Sequence, residues 1–334
     1  MKGGITSGVV YPRAIGVLAR QYRFKSIGGT SAGAIAAVVT AAAEYQRRER
    51  DSWEGFNVLE RLPDELQKRI PGTKKSKLLS LFQPQPGTRR LFAVLINSLN
   101  SKGTYRRVCR IASGFLLAYW PATLASLVAA WAVGLLSGSW VTAALVLILA
   151  LLVSIGTWVY FDLTRRVVAN GFGLCTGMTD DGKGEALTPW LHELIQKTAG
   201  RKPGDKPLTF GDLWDAKGYP PEWLKLPANP KPRAIDLQMF STNLSHGRPY
   251  IFPLPEPDPG PTRFRSRERL FFKPKELERY LPADVLAWMC ANAKPYTIEP
   301  DRKGKDPDES EADGAMELPP PRDFPVLLAA RMSL

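Results

Sequence analysis

Histidine and cysteine are scarce in this chain. Its 334 residues hold two histidines, His192 and His246, and three cysteines, Cys109, Cys175 and Cys290. The cysteines are odd in number and far apart, with no Cys-x-x-Cys pair. They form neither a disulfide framework nor a zinc site, and reduced thiols are expected. Two histidines leave little room for chemistry that runs through imidazole. Acid is short as well: 32 Asp and Glu stand against 45 Lys and Arg, a net charge of +13. Such an excess favours an anionic partner, either nucleic acid or the acidic face of a membrane. No nucleic-acid-binding motif accompanies it, and basic residues gather beside a long uncharged segment, so a membrane is expected and nucleic acid is not. The first 12 residues are glycine-rich and lack the apolar stretch of a signal peptide.

The largest absence is local. From Ile111 to Phe161, 51 consecutive positions carry no charge. Ser137-Gly138-Ser139, a turn signal, divides the run into Gly114–Leu136 and Trp140–Phe161. Each half is long enough to cross a hydrocarbon core of ~30 Å as a helix. Trp120, Trp131, Trp140, Trp158 and Tyr160 lie within or at the ends of the halves, and several of them are expected in the interfacial belts. Lys102, Arg106, Arg107 and Arg110 precede the run, Arg165 and Arg166 follow it, and the turn is uncharged. Both flanks are therefore expected on the cytoplasmic side of an inner membrane, with only the turn crossing. The expected order is an α/β part over 1–110, a transmembrane hairpin over 111–161 and a second α/β part over 162–334.

Outside the hairpin the pattern is α/β. Arg23–Ile27 and the alternating Ala234–Ser241 are expected strands. Pro12–Arg20, the alanine-rich Ala32–Gln46, and a segment opened by Thr188-Pro189 and running to Lys197 are expected helices, with another starting at Thr209. Pro274–Asn292 is expected as one helix broken at Pro282. Leu62–Arg90 and Pro253–Thr262, rich in proline and charge, are expected loops, and the acidic Asp301–Pro321 a mobile one.

One short stretch carries chemistry. Gly29-Thr30-Ser31-Ala32-Gly33 fits G-x-S-x-G, the nucleophile elbow, between an expected strand and an expected helix. A sharp turn there exposes the serine hydroxyl, and the first N–H groups of the helix lie where an oxyanion would develop. A tight turn around a small serine is the other reading of the same residues. A P-loop is excluded because Ala34 stands where its lysine belongs, and a Rossmann fingerprint because Thr30 replaces a glycine. Lys2-Gly3-Gly4-Ile5-Thr6-Ser7-Gly8 is a candidate source of a second oxyanion donor, through Gly3 and Gly4.

With these pieces in order, the chain resembles the patatin-like phospholipases, which share an oxyanion loop, a helix, a strand, G-x-S-x-G and a helix. The stretches LTFGDLW (Leu208–Trp214), FSTNLSHGRPYIFP (Phe240–Pro253) and FPVLLAARMSL (Phe324–Leu334) also look like that family. The family loop would have glycine in place of Lys2 and Ser7, so this chain departs from it there. The resemblance implies a three-layer α/β sandwich around a mostly parallel sheet, here interrupted by the hairpin. It also implies hydrolysis of phospholipid or lysophospholipid esters by a Ser–Asp dyad, with Ser31 as nucleophile and no metal or cofactor. The family's Asp-Gly-Gly/Ala motif is matched only by Asp313-Gly314-Ala315, which lies in the acidic stretch and before FPVLLAARMSL, whereas the family places its motif after that segment. Asp313 is therefore expected to lie exposed and far from Ser31, with the working aspartate beyond Leu334. The alternative is a non-catalytic, membrane-anchored module that keeps the fold for binding or assembly.

Overall fold

A computed structural model describes residues 1–4, 7–73, 75–99, 103–179, 185–221, 223–226, 232–243, 247–255, 270–296 and 314–334. The chain divides into two compact units, Met1–Leu81 with Glu185–Leu334, and Phe82–Gly184. The inserted unit is thus wider than the uncharged run.

In the first unit, α1 (Ser7–Ala19) leads to β1 (Ser26–Gly29), α2 (Ala32–Arg50), α3 (Glu54–Gln67) and α4 (Lys77–Leu81). Helix α1 begins before the expected Pro12, which lies inside it and forfeits one backbone hydrogen bond. The expected loop over Leu62–Arg90 is corrected: α3 runs through Pro63, and α4 follows. Phe56, Leu59 and Leu62 form a buried stripe at helical spacing, and that burial holds α3 helical despite its charge. Helix α2 is apolar on nearly every face and is buried along most of its length, as its run of alanine and valine requires.

After the insertion come α9 (Leu187–Thr198), α10 (Phe210–Trp214), β2 (Asp236–Asn243) and β3 (Arg248–Phe252). Thr209 caps α10 reciprocally with Asp212: its N–H donates to Asp212 Oδ2 at 3.0 Å and its Oγ1 accepts from Asp212 N–H at 3.3 Å. Next are β4 (Phe271–Phe272), α11 (Pro274–Leu277), α12 (Ala283–Asn292), β5 (Met316–Glu317) and α13 (Val326–Ser333). Pro282 separates α11 from α12. Strand β1 pairs parallel with β2, Gly29 opposite Met239, and β2 pairs antiparallel with β3. Among the described residues this is a three-stranded mixed sheet, and β4 and β5 form a separate two-stranded antiparallel ribbon. The mobile loop expected over Asp301–Pro321 is corrected for its described part: Met316 and Leu318 pack against the core and Leu318 N–H donates to Leu270 O at 2.8 Å.

The second unit holds α5 (Arg89–Leu99), α6 (Thr104–Ala118), α7 (Trp120–Ser137) and α8 (Trp140–Phe161), with a π-helical turn over Asp162–Val167. The expected single span Gly114–Leu136 is broken at Tyr119. Pro121 stands in the first turn of α7, where it cannot donate and its ring crowds the preceding turn. Thr123 Oγ1 donates to Leu116 O at 2.9 Å, satisfying a carbonyl that the break leaves open.

Two helices here, Trp120–Ser137 and the one that begins at Trp140, are long and apolar enough to cross a membrane. They run antiparallel and pack through small residues. Ala122, Ser126, Ala130 and Gly134 recur every fourth position on α7 and are its buried residues. Ser126 Oγ lies 3.1 Å from Ser154 Oγ, and a Cβ on Gly134 would stand 3.2 Å from Ala143 Cβ. Leu124, Leu127, Trp131, Leu145, Leu149 and Leu152 are exposed. Small residues inside and large apolar ones outside are the reverse of a water-soluble hairpin and suit a lipid surround.

Candidate active site

Ser31 occupies the turn between β1 and α2. Its φ of 52° and ψ of −136° are those of the first central residue of a type II′ turn, a position that ordinarily demands glycine. The turn closes with Gly33 N–H donating to Thr30 O at 3.0 Å. The side chain of Ser31 is exposed and makes no capping hydrogen bond to its own helix. The backbone therefore holds a serine in a strained conformation with its side chain exposed.

The motif glycines are explained by what crosses them. A Cβ on Gly33 would stand 2.4 Å from Met1 O, and one on Gly29 2.6 Å from both Ala37 Cβ and Gly33 O. The first permits the N-terminal segment to pass over the start of α2. The second lets α2 lie directly on β1. Thr30 N–H donates to Met1 O at 3.2 Å, and the Met1 ammonium donates to Gly28 O, so residues 1–2 run alongside the end of β1. This places Gly3 against Ser31: a Cβ there would lie 2.6 Å from Ser31 Cβ and 3.1 Å from Ser31 Oγ. Of the two loop glycines expected at the site, Gly3 is the one packed on Ser31, while Gly4 is exposed. Ala32, the first residue of α2, has its N–H in the helix turn that lacks intrahelical acceptors.

The end of α13 completes the surroundings. Ser31 N–H donates to Ser333 O at 3.0 Å, and Ser333 Oγ donates to Phe240 O at 2.6 Å. Reading the sequence missed this contact, because nothing in FPVLLAARMSL says which helix end meets the elbow. One residue back, Met332 joins Leu328, Ser241, Tyr250, Phe252 and Phe271 around a mostly apolar pocket of about 400 Å³. The pocket lies at the carboxyl end of β2, the side of a parallel pair where α/β proteins bind ligands.

Asp313 is outside the described residues, as are His246 and Asp181-Gly182. Gly314 and Ala315 lead into β5, where Ala315 O accepts from Tyr296 N–H at 3.0 Å. His192 Nε2 is 2.8 Å from Asp284 Oδ2, a pairing between α9 and α12 that engages neither Ser31 nor its neighbours. Among the described residues, no side chain hydrogen-bonds Ser31 Oγ.

Charge supports the site from below. Glu44 is fully buried on α2 and pairs with Arg47 and with Arg48, whose Nε stands 2.8 Å away. Arg47 donates to Ala19 O at 2.6 Å and to Tyr22 O at 2.9 Å, and Arg48 to Phe24 O at 3.3 Å. The α1–β1 connection is thereby tied to α2, which sets the approach of β1 to the elbow. On α10, burial pushes the Asp212 carboxyl up, but Lys206, Arg201 and the Thr209 donors outweigh it and hold the group below its ordinary range.

No family model and no solved structure match the chain. It is 37% identical over 355 aligned positions to a protein of Rhizobium meliloti (strain 1021) described as an "RpoH suppressor". The match takes in all of this chain and 50% of that protein, so the chain spans about half the length of the curated relative.

Proposed function

We propose that this protein is a membrane-tethered serine acyl hydrolase of the patatin-like kind, acting on phospholipid or lysophospholipid esters. One observation carries the reading: an exposed serine with glycine-type dihedrals at a strand-to-helix turn, with the Gly3 backbone packed on its side chain. Ser31 Oγ attacks the ester carbonyl and its proton passes to a carboxylate base. The oxygen of the tetrahedral intermediate faces the Ala32 N–H and the backbone of the Gly3–Gly4 loop. Collapse releases the alcohol with that proton, and water then frees the acid from Ser31. The pocket behind α13 suits an acyl chain in volume and lining. Helices α7 and α8 anchor the chain in the inner membrane, with the arginine-bearing flanks on the cytoplasmic side.

A second reading, a non-catalytic membrane module, is favoured by the lack of any described side chain bonded to Ser31 Oγ. Fluorophosphonate labelling of membranes containing the protein separates the two. Labelling of the wild type that Ser31→Ala abolishes supports the hydrolase. No labelling of a folded wild type supports the module, and undiminished labelling of Ser31→Ala removes Ser31 from the nucleophile role.

A further inference from the structure

At the open end of the α7–α8 hairpin sits a cluster that the proposed hydrolysis does not use. Asp162, directly after α8, is fully buried. Its Oδ2 accepts from the Tyr119 hydroxyl at 2.8 Å, and its Oδ1 is 2.9 Å from Arg166 Nη1. Tyr119, directly before α7, is buried too. The Arg90 guanidinium lies over both the Tyr119 ring, at 5.6 Å, and the Trp158 ring, at 4.9 Å. Arg90 Nη1 is buried and has no hydrogen-bond partner. Asp162 is the sole acid among the described residues of this unit, against seven arginines, and it is already engaged by Tyr119 and Arg166. A partly buried guanidinium with an orphan N–H is costly unless an anion meets it.

We propose that Arg90 binds the phosphate of an anionic phospholipid headgroup, held in an aromatic cradle of Tyr119 and Trp158 at the base of the hairpin. The planar fork of arginine suits phosphate oxygens. The cradle lies where α7 begins and α8 ends, so a lipid seated there keeps its tails along the exposed apolar faces of those helices. The excess of arginine in the unit selects a net negative headgroup over a zwitterionic one. Asp162 acts as a positioning residue: it holds the Tyr119 phenol and Arg166 and forms no bond to Arg90, whose Nη1 stays buried and unbonded. The inference rests on the membrane part of the proposed function and not on hydrolysis.

The test uses the full chain carrying Ser31→Ala, so that no lipid is turned over. The protein is released from a nonionic detergent into native mass spectrometry with equimolar phosphatidylglycerol, phosphatidylcholine and diacylglycerol. Phosphatidylglycerol should be retained preferentially. Arg90→Gln should weaken its retention about tenfold or more, the loss of a charge-assisted hydrogen bond, and Arg165→Gln should change it less than about twofold. Arg90→Lys keeps the charge without the fork and should fall between. It also serves as the deciding variant if circular dichroism shows Arg90→Gln misfolded. Equal retention in wild type, Arg90→Gln and Arg90→Lys overturns the proposal, as does equal retention of the three lipids. Full displacement of phosphatidylglycerol by equimolar inorganic phosphate would make the site one for free phosphate and refute the lipid assignment. Failure of the membrane reading shows separately, as release of the protein by carbonate extraction.

Discussion

Replacing Ser31 with glycine should make the protein more stable while removing the hydroxyl proposed as its nucleophile. The φ of 52° and ψ of −136° at Ser31 belong to glycine's territory. Holding a side chain there costs on the order of 1–3 kcal/mol. Glycine relieves that strain but gives the unfolded chain more freedom, which offsets about 0.4–1 kcal/mol. The exposed hydroxyl makes no capping bond in the folded state, so nothing else is lost. The difference spans ~0–2.6 kcal/mol, and its centre, about 1.3 kcal/mol, is the gain expected for Ser31→Gly, whereas Ser31→Ala keeps the strain and should stay near wild type. For a unit of this size that centre corresponds to an unfolding midpoint about 3–5 °C higher. Thermal unfolding of the detergent-solubilised protein, followed by hydrogen exchange in β1 and α2, gives the comparison for the unit that holds the elbow. Fluorophosphonate labelling should vanish in both variants. If Ser31→Gly is no more stable than Ser31→Ala, the strained-nucleophile argument is wrong, whatever happens to labelling.

Other outcomes follow from the same geometry. Glu44→Gln leaves Arg47 and Arg48 buried without their counter-charge and should destabilise the first unit by about 3–5 kcal/mol in urea unfolding; a loss under about 1 kcal/mol would mean the arginines find water. Ser126→Cys combined with Ser154→Cys should crosslink on oxidation in membranes, since the hydroxyls now stand 3.1 Å apart. Absence of the crosslink would contradict the small-residue seam. Asp212 is held below its ordinary range in the folded state, so the unfolded state binds the proton more readily. Its contribution to stability is complete above about pH 4 and fades as the pH falls through the folded-state value. Asp212→Asn should therefore flatten the acid limb of the stability profile, and an unchanged limb would assign it to other carboxylates.

Sequence by itself was enough for the features that rest on local rules. An uncharged run of 51 residues with a serine–glycine turn dictates two apolar helices. Gly-x-Ser-x-Gly after a short strand and before an alanine-rich run dictates a tight turn into a buried helix. Neither depends on a distant partner. Where the reading fell short, a distant partner decided. Burial of Phe56, Leu59 and Leu62 made α3 helical across a proline, and pairing of Met316–Glu317 with Phe271–Phe272 turned part of an acidic loop into a strand. At the elbow, the approach of Gly3 to Ser31 and the docking of Ser333 on its N–H join residues about 30 and 300 positions apart in sequence. The cluster of Arg90, Tyr119, Trp158 and Asp162 likewise exists only once α7 and α8 fold back on each other, because its members come from three separate places along the chain. Spacing within a segment governs the turn and the helix, but only packing between segments decides which backbone lies on the serine and which guanidinium is brought over the Tyr119 and Trp158 rings.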